Sequence, residues 1–133
     1  MLAGGRPAAE LTTLFASAQV FCLPSVERSE AFGVVLLEAM AHGVPCVATT
    51  IDGSGTSWVN AHDSSGINVP VRDATALATC IARLLSDREL HNRLSIGGQL
   101  RFARKFSEAT FVSAVHALYS QLTAGDVTQL PSR

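Results

Sequence analysis

Clusters of basic residues are missing from this sequence. Its 133 residues carry ten Lys and Arg against eleven Asp and Glu, a formal net charge of -1. Such a balance gives no electrostatic attraction for a polyanion, so nucleic acid is not an expected partner. No apolar run reaches the roughly eighteen residues that a membrane span needs, because Glu38 interrupts the longest one. The first residues lack a signal-peptide pattern, which makes the cytoplasm the expected compartment. Cysteine is sparse: Cys22, Cys46 and Cys80 are odd in number and lack metal-ligand spacing, so they read as small buried hydrophobes. The histidines, at 42, 62, 91 and 116, also lack a partner at metal spacing. No Asp-rich cluster is present to bridge a metal to a diphosphate, so no metal and no cofactor are expected. Internal repeats and low-complexity linkers are absent.

What is present is apolar sequence in short, separated blocks. Hydrophobic residues make up 47% of the chain, enough for one domain with a real core. Pro7 to Ala18 reads as a helix with Pro7 at its first position and Leu11, Leu14 and Phe15 on one face. Val20–Leu23, Val44–Thr49 and Gly66–Pro70 read as strands, and their alternation with helices predicts an α/β fold with a parallel sheet. Asp73 is a good N-cap for a helix through Leu85, with Leu77, Ile81, Leu84 and Leu85 as its apolar stripe. Ser86 and Glu89 form a potential capping box for the next helix, to about Arg104, which Gly97 and Gly98 weaken midway. Ser107 is placed to cap a last helix to Leu122, with Phe111, Val115, Leu118 and Leu122 on one face. The organisation expected is one partial domain over 1–122 and a frayed tail over 123–133.

The block that carries chemistry runs from Pro24 to Pro45, PSVERSEAFGVVLLEAMAHGVP. From Phe32 to Met40 it favours a helix, which Gly43 and Pro45 should stop near His42. A helix that starts directly after a buried strand presents free backbone N–H groups at the sheet's C-terminal edge, a ready site for an anion. Gly33 allows close approach to that backbone. Glu30 and Glu38, seven residues apart, flank the site. A carboxylate repels a phosphate but accepts hydrogen bonds from hydroxyls, as the acidic residue does at a ribose in dinucleotide folds. Two carboxylates around one anion site suit a ligand with hydroxyls on both sides of a phosphate, such as a sugar nucleotide. Gly53, Ser54 and Gly55 lack the Lys and Thr/Ser of a P-loop and read as a turn into a one-turn helix at Thr56–Asn60, capped by Ser54 or Thr56. Trp58 reads as a packing anchor. Arg28, the cation near the key loop, reads as solvated, with a diphosphate contact as the alternative.

The stretch LPSVERSEAFGVVLLEAMAHGVPCVAT resembles the glutamate-x7-glutamate signature of family-4 type (group 1) retaining glycosyltransferases, whose GT-B fold has two Rossmann-like domains. The preceding Pro-Ser, the Phe-Gly pair, the LLEAMA run and Gly-x-Pro match as well, and GSGTSWVN, SGINVPVRD, ALATCIARLLSD and KFS resemble the part that follows. The similarity covers nearly all of residues 6 to 122. It implies the second half of a C-terminal donor domain: a partial Rossmann-like domain of three parallel strands flanked by helices. It also implies that Glu30 is catalytic and holds the donor sugar, that the backbone at Phe32, Gly33, Val34 and Val35 faces sugar and diphosphate, and that Glu38 holds the ribose.

By the same resemblance the three strands are the fourth to sixth of a larger sheet. The segment carrying an Arg and a Lys for the diphosphate, and the acceptor domain, are expected elsewhere. The edge of Val20–Leu23 is then open for self-association or for a partner chain. The function implied is transfer of a hexose from a nucleotide-diphosphate sugar with retention, in polysaccharide or glycoconjugate synthesis. The alternative is a catalytically silent nucleotide-binding fragment that needs a partner chain.

Overall fold

A computed structural model describes residue 5 and residues 7–123. Three parallel strands form its sheet in the order β1 (Phe21–Leu23), β2 (Cys46–Thr50), β3 (Gly66–Pro70). Phe21 pairs with Cys46 and Leu23 with Ala48, while Cys46 pairs with Gly66 and Thr50 with Pro70. The described residues also form six helices: α1 (Ala8–Ser17), α2 (Val34–Ala41), α3 (Thr56–Val59), α4 (Ala74–Ser86), α5 (Arg88–Lys105) and α6 (Glu108–Thr123). This is the parallel α/β layering that the alternating blocks predict.

The central strand shows why its run is apolar throughout. Successive side chains of a strand point to opposite faces. Cys46 and Ala48 therefore pack with Leu36, Ala39 and Met40 of α2, while Val47 packs with Leu84 of α4 and Leu90 and Leu94 of α5. Both faces are covered, so no position on β2 before Thr50 can be polar without a partner. Thr49 meets this demand by donating its hydroxyl to the Ser25 carbonyl. Burial pushes the Cys46 thiol up to about 12 and also raises that of Cys22, which keeps both protonated. All three cysteines are free.

Helix α5 closes one edge of the sheet. Its His91 ring meets the Gln19 carbonyl at 2.8 Å, and Ser95 donates to the Gly43 carbonyl at 2.6 Å. Arg93 donates to the Asp63 carbonyl at 2.6 Å. Those three carbonyls lie in the segments leading into β1, β2 and β3, so one helix ties down the N-terminal ends of all three strands. Gly97 lets it come close: a Cβ there would sit 1.9 Å from the Ser64 carbonyl oxygen. Gly98 likewise packs on Met40. The two glycines do not break α5, which is continuous, because they serve contact rather than flexibility.

Other local expectations shift by a residue or more. Helix α2 begins at Val34 rather than Phe32, with Gly33 as a left-handed N-cap at φ 80. Asp87, not Ser86, caps α5, accepting from Leu90 N–H at 3.0 Å, because Ser86 still belongs to α4. Gly55 holds the N-cap position of α3, although the Ser54 hydroxyl accepts from Thr56 N–H at 3.2 Å. Asp73 caps α4 as expected, at 2.8 Å from Ala76 N. Leu85 is exposed instead of joining Leu84 in the core, and the stripe on α6 is not buried: Phe111, Leu118 and Leu122 are exposed. Thr110 N–H donates to the Ser107 hydroxyl, the expected cap of α6. That helix runs through Thr123, and the rest of the tail, 124–133, lies outside the described residues.

The Gly97 contact sets two effects against each other. Helix propensity favours Ala over Gly by about 1 kcal/mol, whereas forcing a methyl group into closed packing costs about 1–3 kcal/mol. Because a backbone carbonyl stands in the way, Gly97→Ala is expected to destabilise the chain in urea denaturation. A gain in stability would contradict the closing role given to α5.

Candidate functional site

With α5 across one end, the open edge of the sheet is the C-terminal one. Three loops meet there: residues 24–33 after β1, residues 51–55 after β2 and residues 71–73 after β3. In open parallel sheets, ligands bind outside the carboxyl ends of the strands.

The first loop carries Glu30 and turns into α2 through Gly33. Glu30 is half-buried, and its Oε1 accepts the Gly33 N–H at 3.1 Å. That bond fixes the turn into α2 without capping it, since it takes the N–H of the N-cap residue itself and not an amide of the first turn. A negative group at a helix N-terminus is favourable by about 0.3–1 kcal/mol when exposed. The second carboxylate oxygen, Oε2, has no protein partner among the described residues. The left-handed turn needs glycine, since a Cβ at residue 33 would lie 2.8 Å from Leu36 Cδ1.

Helix α2 then rises from the edge. Leu36 N–H is bonded to the Gly33 carbonyl at 2.9 Å. The amides of Phe32, Val34 and Val35 have no acceptor among the described residues. Val34 is 62% exposed, and Glu38, one turn further on, shares its face and is exposed too. Val35 is half-buried, while Leu36, Ala39 and Met40 turn to the core. Glu30, Gly33, Val34, Val35 and Glu38 thus share one helix start. The amide of Gly33, expected to face a ligand, is bonded to Glu30 instead, which leaves those of Phe32, Val34 and Val35 open.

The Phe32 ring points elsewhere. It packs 6.0 Å from the Trp58 ring and 6.2 Å from the Phe106 ring, centroid to centroid. Trp58 meets Phe106 edge-on at 5.1 Å, and the Arg101 guanidinium lies 5.7 Å from both of those rings. Trp58 is thus a packing anchor, as its sequence setting predicts, yet it stays 54% exposed. His42 ends α2 with its ring stacked on Phe15, centroids 5.6 Å apart.

The second loop supplies what local pattern does not reveal. Ser54 donates its hydroxyl to the Glu30 carbonyl at 2.5 Å, and Gly55 N–H donates to the Ala31 carbonyl at 2.7 Å. The Arg28 guanidinium packs against Gly53, where a Cβ would lie 2.9 Å from its Cζ. The signal was the position of Gly53-Ser54-Gly55 at the ligand edge; its partners 24 residues earlier could not be read from the sequence. A depression of 190 Å³ lies on the same edge, bordered by Pro24, Thr49, Pro70 and Asp73. A larger cavity, 470 Å³, sits at the opposite edge beside Gln19 and His91. Its lining includes Arg88 at the start of α5 but no carboxylate, so the pairing of carboxylates with a helix start belongs to the C-terminal edge. Among the described residues, no helix is long and apolar enough to cross a membrane.

Residues 1–101 match the sequence family described as Glycosyl transferases group 1. The chain is 34% identical over 109 residues to an O-antigen chain mannosyltransferase C of Escherichia coli, covering 82% of this chain and 29% of that protein. It is 34% identical over 101 residues to an N-acetyl-alpha-D-glucosaminyl L-malate synthase of Bacillus anthracis, covering 76% of this chain and 26% of the relative. The chain therefore spans less than a third of the length of these relatives. Among solved structures it superposes on sucrose-phosphate synthase from Thermosynechococcus elongatus with a TM-score of 0.80 at 31% identity, covering 95% of this chain and 31% of the other. The C-terminal domain of a group 1 glycosyl transferase from Francisella tularensis has the same fold at 20% identity, with a TM-score of 0.70, over 80% of this chain and 53% of that one. So does the HepE protein of Anabaena, solved with UDP-glucose: 22% identity, TM-score 0.69, 81% of this chain and 29% of the other.

Proposed function

The chain belongs to the group 1 glycosyl transferases, and from that premise we propose that it is the donor-binding part of a retaining enzyme that transfers a hexose from a nucleotide-diphosphate sugar. The observation that carries this reading is the start of α2: open amides at Val34 and Val35, with Glu30 on one side and Glu38 on the other. Transfer breaks the bond between the sugar and the diphosphate and leaves negative charge on the departing phosphate oxygen. Amides and a helix N-terminus aimed at that oxygen stabilise it as it forms. Glu30 Oε2 accepts a sugar hydroxyl while Oε1 remains on Gly33. Glu38, down the exposed face, accepts from the ribose. No metal and no cofactor take part in this reading.

One helix end contributes about 1 kcal/mol toward an exposed anion, against the roughly 8 kcal/mol or more that enzymes supply. Cationic groups from another polypeptide segment therefore complete the site. A catalytically silent nucleotide-binding part is the second reading, favoured by the engagement of the Gly33 amide within the chain. Turnover assays with and without an acceptor-domain partner separate the two. The O-antigen mannosyltransferase relative supports a setting in polysaccharide or glycoconjugate synthesis. Three free cysteines suit the reducing cytoplasm.

The donor half-site is tested by calorimetric titration with UDP, GDP and ADP. Saturable binding of one nucleotide is expected, weakened about tenfold or more in Glu38→Ala, the scale of a lost hydrogen bond to a charged group. Binding that is unchanged in the variant would remove Glu38 from the site.

The reading extends to β1. It pairs with β2 on one side, and its residues Phe21–Leu23 are only half-buried. An apolar strand edge is a template for another strand, and we assign it to self-association or to a partner chain. Light scattering on the isolated chain is expected to show mass rising with concentration. A monomer at every concentration would contradict self-association.

A further inference from the structure

The contacts between the β1–α2 and β2–α3 loops concentrate on Ser54. Its hydroxyl lies 2.5 Å from the Glu30 carbonyl oxygen and 3.2 Å from Thr56 Oγ1, and it accepts the Thr56 N–H at 3.2 Å. A hydroxyl has one proton. The shorter contact, to a carbonyl that can only accept, takes it, and the longer approach to Thr56 Oγ1 is the weaker one. Thr56 is buried at the first position of α3, with 1% exposure, and gives Ser54 a rigid base. Gly55 N–H, bonded to the Ala31 carbonyl, adds a second tie one residue further on. A Cβ at Gly55 would stand 3.1 Å from that carbonyl, so the two loops are in direct backbone contact.

We propose that Ser54 is a positioning residue for Glu30, fixing the Glu30 peptide so that one carboxylate oxygen accepts the Gly33 N–H and the other faces the donor sugar. This rests on the donor-binding reading of Glu30. The geometry assigns the residue a role that a helix cap does not need. Ser54 reaches past its own helix to a carbonyl 24 residues earlier, and that carbonyl belongs to the residue whose carboxylate sets the turn. Without the hydroxyl, the Glu30 carbonyl loses its partner, the backbone there keeps only the Glu30 N–H bond to Glu27 and the Gly55 bond to Ala31, and the carboxylate is held less firmly on Gly33 and toward the sugar.

The test uses the full chain and the exchange of its Gly33 amide hydrogen, followed by NMR, because that amide reports directly on the Glu30 carboxylate. Ser54→Ala is expected to speed Gly33 exchange roughly three- to tenfold, the scale of one hydrogen bond, with Ser54→Thr restoring it. Glu30→Ala sets the ceiling. The same Ser54→Ala change should reduce the preference for UDP-glucose over UDP while leaving the affinity for UDP as it was. Gly33 exchange equal to wild type in Ser54→Ala overturns the proposal, as does equal acceleration throughout α2 and β2, which would mark a general loss of stability. If Glu30→Ala itself leaves the UDP-glucose preference unchanged, the donor reading of Glu30 fails. The exchange rate at Gly33 still decides whether Ser54 holds Glu30.

Discussion

The hydrogen bond from Gly33 N–H to Glu30 Oε1 is the contact on which the functional edge of this domain depends. It closes a turn that only glycine enters cheaply, with φ 80 at Gly33, and it sets α2 off from Val34. Serine, threonine or aspartate usually caps a helix from the N-cap position itself. Here that position must be glycine, because Leu36 fills the space a side chain would take. Glu30, three residues earlier, bonds the N–H of that glycine and leaves the amides of the first turn open. The carboxylate is thereby held at the helix mouth with an oxygen to spare.

The two edges of the sheet have been given opposite tasks. At the N-terminal edge, His91, Arg93, Ser95 and Gly97 of a single helix engage the segments entering all three strands. At the C-terminal edge no helix intervenes among the described residues, and the loops are tied instead through Ser54 and Gly55 and to β2 through Thr49. A rigid base beneath and linked loops above are what a ligand site needs if its groups are to be held in place before binding. The aromatic group of Phe32, Trp58 and Phe106 with Arg101 braces the outer flank of the same turn.

What could be read from the sequence was local. The apolar blocks marked all three strands, Gly43 and Pro45 the end of α2, and Asp73 and Ser107 their helix caps, because each acts within a few residues of itself. The glycines of α5 misled because helix propensity treats them as weakness, whereas here they admit the Ser64 carbonyl and Met40. Ser86 and Asp87 offered two adjacent caps, and only the course of α4 decides between them. Around the site, the strand-to-helix pattern placed Glu30 and Glu38 on either side of the start of α2, but not the left-handed turn at Gly33 or its bond to Glu30. The clamp by Ser54 did not, since a contact across 24 residues leaves no periodic trace. The α6 stripe was legible as a pattern but not as burial, and its Phe111, Leu118 and Leu122 are exposed.

The central claim is that this chain receives a nucleotide diphosphate at the start of α2. The direct measurement is a titration with UDP, GDP and ADP in turn, followed by amide resonances of the whole chain. The account predicts saturable shifts centred on Val34, Val35 and Glu38, with smaller ones in residues 53–55. Saturable shifts centred instead on Gln19, His91 and Asn92, around the larger cavity at the opposite edge, would contradict it.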